Sequence, residues 1–255
     1  MHDNERDYRA VCFDLDGTLL PMDLQEFLGA YFKRIGAFAA AQGLDPDRFI
    51  GALRVGVDAM LANAEGRTNE QVFWEAFAGD YGAEELAAMD VRAVCDDFYE
   101  NDFDRIGDDV VPNPHVARAV GALKAKGYPL VLTTMPLFPR RAVEHRIEWA
   151  GLDPASFDRL TTYENSTSTK PHLAYYAENL DAMGLSGEDV LMVGNNTVED
   201  LAFTKLGADA FLVTDWLLDP AGLDLDTVRH GTFEQFADWA EALPDCKNPA
   251  RDIRK

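Results

Sequence analysis

The chain has 255 residues, 47% hydrophobic and 27% charged, with a formal net charge of −22 at pH 7. That length supports one sizeable core, or a core with an insertion, and the acidity argues against nucleic-acid backbones and anionic membrane surfaces as partners. Cys12, Cys95 and Cys246 have no CxxC spacing, and no apolar run of signal-peptide or membrane length occurs, so a reducing cytoplasm is the expected location.

In chain order, residues 10–13 read as a short buried strand that runs into Asp14-Leu15-Asp16-Gly17-Thr18. Gly17 breaks the strand where a tight turn is needed. Residues two apart on a strand point the same way, so Asp14 and Asp16 can serve one pocket. Open α/β sheets bind their ligands at such strand ends. Two carboxylates that close repel each other unless a cation joins them or they divide acid and base roles.

The pattern then turns helical as far as about Ile106. Asp23 caps a first helix with Glu26 three residues on, and Asp45-Pro46 starts a second. Thr68 with Gln71 starts a third containing Phe73, Trp74 and Phe77, whose rings read as packing, and a fourth spans residues 90–99. Residues 110–114 read as a return linker. Beyond them, strands over 130–133, 158–163, 189–193 and 210–213 alternate with helices over 139–150, 171–183 and 198–206, and 231–243 forms a closing helix. Such alternation predicts a doubly wound parallel sheet with helices on both faces. The fold class is therefore α/β: a Rossmann-like core over 8–20 and 112–243, with an inserted all-helical cap domain over 21–111. Residues 244–255 read as a frayed tail. His145 sits in a charged helix beside Arg140, Arg141, Glu144, Arg146 and Glu148 and reads as solvated, and no histidine spacing suggests zinc.

Four short strings sit beside predicted strand ends in a fixed order: Asp14-Leu15-Asp16-Gly17-Thr18, Thr133-Thr134-Met135-Pro136, Lys170-Pro171, and Gly194-Asn195-Asn196-Thr197-Val198-Glu199-Asp200. Together they resemble the four motifs of the haloacid dehalogenase-like hydrolases, whose helical caps commonly enter between the first and second motifs. The resemblance covers roughly residues 8–20 and 112–215.

It implies Asp14 as nucleophile and Asp16 as the acid and base serving leaving group and water. Because dehalogenase members generally lack the second Asp, it favours a phosphatase acting on a small phosphorylated metabolite. Thr134 and the following backbone N–H would hold phosphoryl oxygens, although adjacent Thr133 is the other candidate. Lys170 would neutralise charge. The resemblance also implies Mg²⁺ held by Asp14, the Asp16 carbonyl and Asn195, with Asp200 direct or through water. Two departures stand out: Met135 where Asn is usual, and Asn195 where Asp is usual, which predicts weaker Mg²⁺ binding. The alternatives are a phosphotransferase or mutase, carbon–halogen cleavage, or a weakened member that binds a metabolite or partner. In the cap, Lys33, Arg54 and Arg67 are candidates for touching substrate.

Overall fold

A computed structural model describes residues 6–255, so the polar start at residues 1–5 lies outside the described part. Six strands form one parallel sheet: β1 (Ala10–Phe13), β2 (Leu130–Leu132), β3 (Arg159–Leu160), β4 (Val190–Gly194), β5 (Asp209–Val213) and β6 (Arg229–Gly231). Their order is β3-β2-β1-β4-β5-β6. The order reverses around β1, which pairs with β2 on one side and β4 on the other. The crevice outside the strand ends at that reversal is where doubly wound sheets bind ligands.

Both faces of β1 are covered, as expected for a parallel sheet. Val11 and Phe13 join the apolar cluster on one face, and Ala10 and Cys12 join the cluster on the other. Helices α6 (Pro114–Ala125) and α9 (Phe233–Ala242) pack together on the first face, and α8 (Leu173–Met183) carries Tyr175, Tyr176 and Met183 onto the second.

Between β1 and α6 the chain forms α1 (Leu24–Ala41), α2 (Pro46–Leu61), α3 (Asn69–Tyr81), α4 (Ala83–Ala88) and α5 (Val91–Asn101), closed by a 3₁₀ turn at Phe103–Gly107. The caps are those the residues predict. Asp23 accepts from Gln25 and Glu26, Asp45 from Asp47 and Arg48, and Thr68 with Gln71 completes a capping box. This insert does not float above the core. Phe27, Tyr31 and Phe103 meet Phe138, from the loop after β2, at centroid distances of 5.9, 5.3 and 6.1 Å. Phe103 also stacks on Trp149 of α7 (Arg140–Trp149) at 5.2 Å.

Several expectations need correction. Residues 114–125 form a full helix with Asn113 as its cap, a stretch to which the sequence assigns no element beyond the linker over 110–114. The strand expected over 158–163 is paired only at Arg159–Leu160, and the helix expected over 198–206 is a 3₁₀ segment at Leu201–Leu206. Residues 229–231 form a strand rather than leading straight into the closing helix. The tail is not frayed: Cys246 N–H donates to Lys126 O, Ala250 N–H to Arg9 O and Arg254 N–H to Ala182 O, and Ala250 is buried. No helix among the described residues is long and apolar enough to cross a membrane.

Candidate active site

The four strings meet at the carboxyl ends of β1, β2 and β4. Asp14 follows β1, and its backbone N–H donates to Val193 O on β4, seating it beside Gly194 and Asn195. Gly17 turns the chain with φ +75, and a Cβ there would run into the Asn195 side chain. Gly194 has a similar constraint, since a Cβ on it would occupy the space of the Asp200 carboxyl. Both glycines are therefore required by close approach.

Lys170, only 2% exposed, lies between two carboxylates: its Nζ donates to Asp14 Oδ1 at 2.7 Å and to Asp200 Oδ1 at 2.6 Å. Burial alone would lower its pKa, but the two carboxylates more than offset this and hold it well above the usual lysine value. Asp200 moves up to about 6, because burial outweighs the pull of Lys170. Its second oxygen accepts from Asn196 N–H at 2.9 Å. On the other side of Asp14, Thr18 Oγ1 donates to Oδ2 at 3.1 Å and lies 3.3 Å from Asn195 Oδ1. The Asn195 amide donates to Trp216 O at 2.6 Å, which turns its carbonyl oxygen toward the site.

The two threonines separate cleanly. Thr133 Oγ1 donates to Phe13 O and packs beside the Met192 sulfur, away from the site. Thr134 Oγ1 accepts from Arg146 Nη2 at 3.3 Å, so Thr134 belongs to the cluster. The same Nη2 donates to Asp16 Oδ2 at 2.7 Å. Arg146 is 1% exposed, with its guanidinium 4.8 Å from the Phe138 ring. Burial pushes the Asp16 carboxyl above the usual carboxylate range; Arg146 pulls it back and Asp14 pushes it further up. Asp16 Oδ1 is buried without a hydrogen-bond partner.

Arg146 is the main residue the sequence reading missed, and the solvated reading of its neighbour His145 is wrong as well. His145 is 3% exposed, with Nε2 3.1 Å from Tyr99 O and Nδ1 3.2 and 3.4 Å from Asp104 and Glu148. A signal existed: Val143, Arg146 and Ile147 fall at the i, i+3, i+4 positions of the stripe that α7 buries. Glu199 was also missed. It lines the same cavity, and burial pushes its carboxyl up to about 7 despite Lys170.

That cavity measures about 210 Å³ and opens onto Asp14, Asp16, Asn195 and Asp200, with Met135 in its wall. Its far side is apolar, made by Leu24, Phe27, Leu28 and Phe138. The cap cations proposed to reach substrate are elsewhere. Arg67 is held by Glu65 and Glu75, Arg54 lies over the Phe32 ring, and Lys33 lines a separate surface cavity.

For a divalent ion, the side chains whose ligand atoms converge among the described residues are Asp104, His145 and Glu148, with ligand atoms all within 4.8 Å of one another. They join the 3₁₀ turn after α5 to α7, away from the motif carboxylates. At the motif site the Asp14 carboxylate and the Asn195 carbonyl oxygen, turned inward by the bond to Trp216 O, are hard oxygen donors on one cavity. That donor set fits a hard cation, although both Asp200 oxygens already have protein partners.

A β3-β2-β1-β4-β5-β6 parallel sheet with a charged cluster at its switch point is a Rossmann-like α/β architecture. The family model of haloacid dehalogenase-like hydrolases matches residues 8–206, and the chain belongs to that family. Solved structures share the fold. An L-2-haloacid dehalogenase from Xanthobacter autotrophicus is 16% identical with a TM-score of 0.53, covering 92% of this chain and 99% of that one. A predicted phosphoglycolate phosphatase from Haemophilus somnus gives the same four values. A phosphatase of the family from Thermococcus onnurineus is 14% identical with a TM-score of 0.52, covering 93% and 99%. No curated protein matches the chain.

Proposed function

We propose that this hydrolase cleaves phosphomonoesters through an aspartyl-phosphate on Asp14. The observation that carries the reading is the second carboxylate: Asp16 faces the same cavity as Asp14, with a carboxyl whose pKa burial raises. A halide leaves without a proton, whereas an alkoxide needs one, so a raised-pKa acid beside the nucleophile favours phosphate. Asp14 Oδ1 is fixed by Lys170, and Oδ2 attacks phosphorus as the bond to the leaving oxygen breaks. Asp16 gives its proton to that oxygen, then takes one from the water that attacks phosphorus and frees Asp14. Thr134 and the N–H of Met135 hold phosphoryl oxygens, and Lys170 offsets their charge. Mg²⁺, when bound by Asp14, the Asp16 carbonyl and Asn195, supplies further positive charge there. Asp200 would join that set directly or through water, and its Oδ1 also positions Lys170.

The test is release of inorganic phosphate from p-nitrophenyl phosphate with and without Mg²⁺, alongside halide release from 2-chloropropionate. Phosphate release that saturates well above micromolar Mg²⁺ is expected. Halide release without phosphate release would replace this reading with carbon–halogen cleavage.

Arg146 offers a second check. Its charge pulls the Asp16 carboxyl down, so Arg146→Met raises that pKa and keeps the acid form to higher pH. The alkaline limb of kcat against pH, measured on an alkyl phosphate whose leaving group needs protonation, moves to higher pH. A limb that stays in place counts against Asp16 as the proton donor.

A further inference from the structure

The cavity over Asp14 has a neighbour. A second cavity of about 280 Å³ lies where the helical insert meets the loop after β2, and both have Leu28, Leu137 and Phe138 in their walls. Its other walls include Tyr31, Leu53, Val57, Phe73, Trp74 and Tyr163, and its one charged lining residue, Asp96, is an anion. The Tyr31 and Tyr99 hydroxyls bond each other at 2.7 Å, which leaves at most one of their protons to donate, and the other walls are chiefly aliphatic and aromatic.

We propose that the alcohol portion of the substrate is apolar, carries no second anionic group, and seats in this inner cavity by passing Leu28 and Phe138. The proposal rests on the phosphatase reading of Asp14 and Asp16. A sugar leaving group would strip its hydroxyls of water and meet ring faces, and each unpaired hydroxyl opposes binding. A carboxylate, as in phosphoglycolate, would meet Asp96 and no facing cation. The guanidiniums nearest these aromatic walls are committed, Arg92 over the Trp74 ring and Arg54 over Phe32, and neither lines the cavity. An alkyl or aryl tail gains burial against this wall without such losses.

The experiment compares kcat/KM for 2-phenylethyl phosphate, ethyl phosphate, glucose 6-phosphate and phosphoglycolate at pH 7 with Mg²⁺. 2-Phenylethyl phosphate is expected to exceed each of the others by at least tenfold. Val57→Phe, which fills the inner cavity but touches no group near Asp14, is expected to erase that advantage and leave ethyl phosphate unchanged. Leu53→Trp is the second filling variant should the first fold poorly. Equal or higher rates on glucose 6-phosphate or phosphoglycolate overturn the proposal while leaving the phosphatase reading intact. Binding is read independently of turnover by titrating 2-phenylethanol against tryptophan fluorescence, with Trp74→Phe as the control. A saturable change lost in Trp74→Phe and in Val57→Phe supports the cavity even if no phosphomonoester is cleaved, a result that would sink the phosphatase reading alone. No saturable change in the wild type overturns the cavity proposal.

Discussion

Asp14→Asn is expected to lower phosphate release by about 10³-fold or more, because the amide cannot form the covalent intermediate that divides the reaction into two steps. The variant keeps its shape. The amide oxygen can still accept from Lys170 while the amide nitrogen, in the place of Oδ2, donates to the Thr18 hydroxyl, and Lys170 retains Asp200 at 2.6 Å. Its melting temperature should therefore fall far less than that of any variant lacking the lysine. Rapid-quench trapping of phosphorylated protein provides the measurement, with a signal in the wild type and none in Asp14→Asn. Residual turnover above a tenth of wild type would show that Asp14 is not the nucleophile.

Lys170→Met is expected to lose both activity and stability, and the stability loss depends on pH. Removing the ammonium leaves Asp14 and Asp200 buried together without their shared cation, and breaking such a pair costs about 3–5 kcal/mol. The sign follows from burial. Burial holds the Asp200 carboxyl at about 6 with the lysine present, and without the ammonium it moves further above its unfolded value. A carboxyl whose folded pKa is raised stabilises the fold in its protonated form and loses that contribution as pH rises through the folded value. Urea unfolding should therefore find Lys170→Met nearest to wild type at pH 5 and furthest from it at pH 8. A gap independent of pH would mean that the lysine is not what neutralises these carboxylates.

What the chain's own order of residues determined here is local. Asp14 and Asp16 share a pocket because a strand repeats every two residues, and Asp23, Asp45 and Thr68 cap helices because each side chain reaches its own backbone. Alternating apolar runs and helical stretches were enough to predict a parallel doubly wound sheet, and these features depend on periodicity and short spacing, which survive in a linear string. The gathering of Lys170, Asn195, Asp200 and one of Thr133 and Thr134 around Asp14 is implied by the resemblance to the family's motifs, not by spacing.

The choices that set the chemistry are not of that kind. Whether Thr133 or Thr134 faces the site depends on the acceptor each finds across the sheet, Phe13 O for one and the Arg146 guanidinium for the other. Arg146 reads as a surface charge, yet it closes on Asp16 from 130 positions away because α7 buries the stripe that carries it. The tail looked free to fray because its hydrogen-bond partners lie at Arg9, Lys126 and Ala182. The apolar cavity behind Leu28 and Phe138 exists only where the insert meets the loop after β2. Burial and long-range pairing create each of these features. A pocket's electrostatics depend on which distant groups share it, and that is settled only when the tertiary structure has excluded water.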